Sequence, residues 1–172
     1  MFIDFPLDCI KNSYENVTEI IKSNKEEIAR LLKIENKTYL NFMRPLMELE
    51  CRLNDYFTPV AHLNSVCDSP ETREAFSICL EPLSIYSSEL SQNKAIYEAV
   101  KEISTQHDLT SEQKKVIKDS LQSFKLGGVY LEDNKKKRLI EINTRLSELS
   151  DSFNKNLLDD LKNDEITKKR EK

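Results

Sequence analysis

For chemistry, the 172 residues offer two histidines, four cysteines and a scatter of carboxylates. His62 and His107 stand in different segments. Neither belongs to a His-Glu-x-x-His helix, in which imidazoles at i and i+4 share one face and close on a zinc ion. Each reads as an ordinary structural or surface residue, and His62, beside Leu63 and Asn64 between two helical runs, is the better suited to a buried, hydrogen-bonded place. Cys9, Cys51, Cys67 and Cys79 have no C-x-x-C spacing and no histidine close in sequence to make a thiolate dyad, so they read as free buried thiols of a reducing compartment. Asp159 and Asp160 adjoin each other but lack a companion base. The pair Gly127 and Gly128 lies outside any phosphate-loop pattern. Taken by themselves, these residues supply no catalytic group, no metal ligands and no cofactor site.

Composition points the same way. Hydrophobic residues make up 38% and charged residues 33%, with two glycines and no Trp, the balance of helical proteins with long charged faces. The net charge of −4, with 26 basic against 30 acidic residues, argues against a nucleic-acid partner, because that affinity comes mostly from Lys and Arg on phosphates. The run Lys135 to Arg138 has no interleaved aromatics and reads as the solvated start of a helix. With no apolar stretch of about 18 residues and no basic, then apolar, leader at the N-terminus, the expectation is a cytoplasmic protein without a membrane partner.

The elements that would position these residues are helical throughout. Val17, Ile20, Ile21, Ile28, Leu31 and Leu32 form one stripe, interrupted by Asn24. A second run begins near Thr38, with Pro45 inside it and Pro59 ending or kinking it. Asp68 or Ser69 is placed to cap a third helix with Pro70 at its first position, and Pro82 predicts a kink. Ile96, Val100 and Ile103 mark a fourth. Thr110 and Gln113 have capping-box spacing ahead of a fifth, which carries Val116, Ile117, Leu121 and Phe124. That helix should end at Gly127 in the left-handed conformation, with Gly128 in the turn. A last helix from about Asp133 carries Leu139, Ile142, Leu146, Leu149, Phe153 and Leu157 at spacings of three and four. Residues 161–172 are too polar to pack and read as a charged, frayed tail on a helical domain of residues 1–160. The predicted fold is all-α, an antiparallel bundle of about five or six helices with a long C-terminal helix whose seam packs on another helix of the same chain. A free-standing interaction module that uses the Leu139–Leu157 seam to bind a partner helix, or itself, is the second reading.

The stretch FKLGGVYLEDNKKKRLIEINTRLSELSDSFNKNLLD, Phe124 to Asp159, resembles a segment of the thimet oligopeptidase and oligopeptidase A family of zinc metallopeptidases. Phe124, Leu126, Gly128, Arg138, Glu141, Ile142, Leu146, Leu149, Phe153, Asn156 and Asp159 carry the likeness. Upstream, HLNSV at His62, TREA at Thr72 and QNKAIY at Gln92 follow the family's order, so the similarity spans roughly Asp4 to Asp159. The resemblance implies an N-terminal, non-catalytic helical domain that forms one wall of a channel admitting short unstructured peptides. It implies zinc and the catalytic residues in a missing C-terminal catalytic domain, and no catalytic or metal residue carries over to this sequence. Ser91 stands where the family often has glycine, and Asp160 with the charged tail replaces the family's continuation.

Overall fold

The computed structural model describes the backbone of residues 10–170 and the side chains of residues 10–163. Within it the chain forms α1 (Ser13–Leu31), a single π turn (Tyr39–Met43), α2 (Arg44–Val66), α3 (Pro70–Ser91), α4 (Lys94–Ile103), α5 (Ser111–Leu126) and α6 (Asp133–Arg170). Among the described residues there is no strand, so the fold is all-α.

Short polar side chains set the helix starts. The Thr72 N–H donates to Ser69 Oγ at 3.2 Å while the Ser69 N–H donates to Thr72 Oγ1 at 3.0 Å, a reciprocal cap that satisfies two otherwise orphaned donors. Thr110 and Gln113 make the same exchange at 3.3 and 3.0 Å ahead of α5. Thr38 and Asn41 make it ahead of the π turn. Asn93 caps α4 by accepting the Ile96 N–H at 3.1 Å.

Of the two outcomes the sequence leaves open at Pro59, an end of the helix is not the one found. Pro45 lies in the first turn of α2, where a missing N–H costs nothing, because the π turn takes up the preceding residues. Pro59 and Pro82 sit inside continuous helices that neither stop nor divide there. Packing on either side of Pro59 offsets its lost hydrogen bond: Phe57 stacks on Phe76 at 5.5 Å between ring centroids, and Val60 is fully buried.

The double glycine closes α5 by a Schellman motif, with the roles shifted by one residue from the expectation. Gly127 is right-handed (φ −71°), because its N–H still completes the helix to Ser123 O at 2.8 Å. Gly128 takes the left-handed conformation at φ +91°. Its N–H donates to Lys125 O at 3.2 Å and the Val129 N–H reaches back to Phe124 O at 3.1 Å, while Val129 and Phe124 are both buried. Gly127 is needed for a different reason: a Cβ there would lie 2.5 Å from Ser91 Cβ, where α5 passes the end of α3.

The core belongs to the first five helices. Ile28, Phe42, Met43, Leu46, Ile96, Val100, Ile103, Ile117 and Phe124 form its main cluster. Val17, Ile21, Leu53, Cys79 and Tyr86 form a second between α1, α2 and α3. Asn24, the break in the α1 stripe, is fully buried and donates from Nδ2 to Leu49 O at 3.0 Å. Of the cysteines expected to be buried, Cys79 is, whereas Cys51 and Cys67 are exposed free thiols; Cys9 lies outside the described residues. His62 is exposed and not buried, because it falls on the outer face of a helix that runs on past it to Val66. Helix α6 likewise continues past Asp160, where the sequence suggests an end, to Arg170.

Candidate functional site

Helix α6 turns its polar face to the rest of the protein. Among its described residues the only buried one is a carboxylate, Asp151. Two sequence features dictate this. Along α3, Ser77, Ser84 and Ser88 recur at spacings of seven and four, a stripe of small hydroxyls that lets another helix approach closely. Along α6, Asn143, Thr144, Asp151 and Lys155 recur on a matching face.

The two helices run antiparallel and join through side chains. At one end the Lys136 Nζ donates to Gln92 O at 3.0 Å. Next come Asn143 Nδ2 to Ser88 Oγ at 3.1 Å and Thr144 Oγ1 to Ser84 Oγ at 3.4 Å. In the middle, Ser77 Oγ lies 2.9 Å from Asp151 Oδ2, and Lys155 Nζ donates to the same carboxylate at 2.7 Å and to the Ser77 hydroxyl. Burying Asp151 is tolerable because an ammonium and a hydroxyl both face it.

At the far end Arg73 forks onto two carboxylates. Its Nη2 stands 2.7 Å from Asp68 Oδ2 and 2.6 Å from Asp159 Oδ1, its Nη1 3.1 Å from Asp159 Oδ2, and its Nε donates to Asp68. Lys162 Nζ completes the cluster on Asp68. Hydrogen bonds from Arg73 and then Lys162 hold the Asp68 carboxyl well below the usual carboxylate range. The Arg73 guanidinium lowers Asp159 in the same way, and the two carboxylates raise Arg73 in turn.

The apolar seam consequently faces outward. Ile142 is 41% exposed, Leu146 57%, Leu149 48%, Phe153 66% and Leu157 48%, and Leu161, beyond the predicted set, extends the line at 56%. Leu139 alone is tucked in, half-buried beside Gly128. The expectation that the seam packs within the chain is thus overturned, because the contacts that hold α6 on α3 are made by hydroxyls, Asp151 and Arg73 and not by the apolar line. Intrahelical ion pairs Arg138–Glu141 at 2.7 Å and Arg145–Glu148 at 2.8 Å accompany the stripe as a charged rim. Beside it, a groove of about 490 Å³ opens between α2, α3 and α6, with Phe57, Leu80 and Leu83 facing Leu146 across it.

The predicted site residues therefore divide in two. Gly127 and Gly128 set the reversal that sends α6 back along α3, and the seam from Ile142 to Leu157 is brought together as one exposed surface. Sequence reasoning quoted Arg73 only as part of the TREA likeness and gave it no role, and it did not find Asp151 or the serine stripe. The signal was the helical spacing of small hydroxyls in α3, which apolar periodicity passes over. Zinc finds no ligand set here: among the described residues no group of three His, Cys, Asp or Glu could hold a metal, and His62 and His107 are both exposed. Nor is any described helix long and apolar enough to cross a membrane.

The family model for the neurolysin/thimet oligopeptidase N-terminal domain matches residues 17–136, from the first turns of α1 to the start of α6. Oligopeptidase A of Haemophilus influenzae is 42% identical over 146 residues, covering 83% of this chain and 21% of that protein. Oligopeptidase A of Escherichia coli is 37% identical over 147 residues, 83% of this chain and 22% of its own. A thimet-like oligopeptidase of Dictyostelium discoideum is 25% identical over 166 residues, 92% and 24% respectively. The chain spans about a fifth of the length of the curated relatives it matches. It belongs to the neurolysin/thimet oligopeptidase family, as that family's N-terminal domain.

Proposed function

We propose that this chain is the non-catalytic helical part of a zinc-dependent oligopeptidase and forms one wall of the channel through which short peptides reach the catalytic centre. The observation that carries the reading is the combination of 42% identity to an oligopeptidase A with coverage of only 21% of that enzyme. The helices here correspond to an architectural fifth, and the remaining polypeptide supplies zinc, catalytic base and substrate contacts. A wall of this kind needs rigidity more than chemistry, which fits a buried core in α1 to α5 and a last helix pinned by ion pairs. One relative at 28% identity carries the name of a probable cytosolic oligopeptidase A, and we assign this chain to the cytosol as well.

The test is the native product in its source cells, captured with an antibody against this segment. A polypeptide several times heavier than 20.1 kDa that hydrolyses short unstructured peptides, and loses that activity to a zinc chelator, is the expected result. A product of about 20.1 kDa without peptidase activity would overturn the proposal.

A further inference from the structure

The stripe on α6 is larger than a chance scatter of surface leucines. From Ile142 to Leu161 it runs about 28 Å along the helix at 1.5 Å per residue, with every third or fourth position apolar and between 41% and 66% exposed. The six side chains expose roughly 600 Å² of surface, at the upper limit of what a monomer ordinarily shows in one patch. The opposite face of the same helix is fully engaged with α3, so α6 cannot roll to hide the stripe without breaking the Arg73, Asp151 and Lys162 contacts.

We infer that the Ile142–Leu161 stripe is the surface on which the rest of the oligopeptidase polypeptide docks in cis, an apolar face of that polypeptide lying along α6. This rests on the reading of the chain as an oligopeptidase domain. Two observations select this occupant. The matched relatives continue for about four-fifths of their length outside the region shared with this chain, so a large tethered body is available to cover the stripe. And the stripe falls short of the approximately 800 Å² per partner that a stable two-copy interface buries, whereas a covalently tethered partner meets it at high effective concentration and needs no such area. The Arg138–Glu141 and Arg145–Glu148 pairs beside the stripe give the contact a polar rim, which excludes water from the apolar line without adding a buried charge.

The test uses Leu146→Ser, Leu149→Ser and Phe153→Ser together, all at exposed positions, in two settings. In the first, the 172-residue chain is sedimented from micromolar to submillimolar concentration. In the second, the chain replaces the matching segment of the Haemophilus influenzae oligopeptidase A, and hydrolysis of a short peptide and cleavage within α6 by added protease are followed. The expected result is a monomeric isolated chain with unchanged helicity in the triple variant. The chimera should be active with the native stripe and about tenfold or more less active, with α6 opened to protease, when the stripe is made polar. Dimerisation of the isolated chain that the triple variant abolishes would assign the stripe to a second copy and overturn the inference. So would a chimera indifferent to the triple change. A chimera inactive even with its native stripe would instead remove the oligopeptidase reading itself, and the inference with it.

Discussion

The Asp159 carboxylate sits on the Arg73 guanidinium, 2.6 Å from its Nη2, across 86 positions of sequence. This pair ties the far half of α6 to the first turn of α3, and Arg73 holds Asp68 at the same time. Replacing Arg73 with Met keeps the stem but removes five donors, so Asp68 retains only Lys162 and Asp159 loses its partner. Amide exchange should accelerate around residues 155–163, with little change near Asn143, where Ser88 holds the helix independently. Equal acceleration along all of α6 would show that the contacts do not act as separate fasteners.

The same cluster sets a pH response. Asp68 and Asp159 titrate lower in the folded protein than in the unfolded chain. Their pairs therefore contribute stability that is complete above the ordinary Asp value, about 3.9, and is lost as pH falls through the depressed folded values. The amide signals of residues 155–163 should be steady from pH 7 to 5 and should change only below about pH 4. A transition centred near pH 6 would point to a histidine and contradict this assignment.

At the helix reversal, Gly127→Ala should cost about 1–3 kcal/mol, since its new Cβ would meet Ser91 Cβ at 2.5 Å. Adding Ser91→Gly should recover most of that loss, giving a coupling in a double-mutant cycle that two independent sites would lack. Gly128→Ala should be destabilising for a different reason, its φ of +91°, and Ser91→Gly should not relieve it. Urea unfolding of the four variants separates the two mechanisms.

Leu146→Glu in the isolated chain should shift stability by no more than about 0.5 kcal/mol, because Leu146 is already 57% exposed. Ile103→Ala, at a fully buried position, should cost about 2–5 kcal/mol. If Leu146→Glu unfolds the chain, the seam is packed inside it and the outward orientation described above is wrong.

Much of this fold was legible in the sequence, and the reasons are local. Ser69 with Thr72 and Thr110 with Gln113 announce their helices because a cap needs only residues three apart. The last helix was readable from its spacing alone. Which face of it docks was not, since the apolar line and the hydroxyl line both recur at helical spacing, and only the surface of α3 decides between them. Pro59 does not end α2 for a related reason: a lost hydrogen bond is a local cost, while the burial of Val60 and the stacking of Phe57 that offset it come from partners distant in sequence. The exposure of His62 followed from the same continuation of α2. At the glycine pair the left-handed conformation falls one residue later than the sequence suggests, because Gly127 still serves the ladder of α5.

The polar contact between α3 and α6 also works as an index pin. Leucines packed on leucines can slide by a turn and find equivalent partners. Here a slip of one turn, about 5.4 Å, would carry Asp151 away from Ser77, Asp159 away from Arg73 and Lys162 away from Asp68, and would leave a carboxylate stranded in the contact. The helix is therefore fixed in both height and rotation, and its outer edge points in one compass direction. A neighbour built against that edge inherits the alignment, much as a door inherits its swing from the frame.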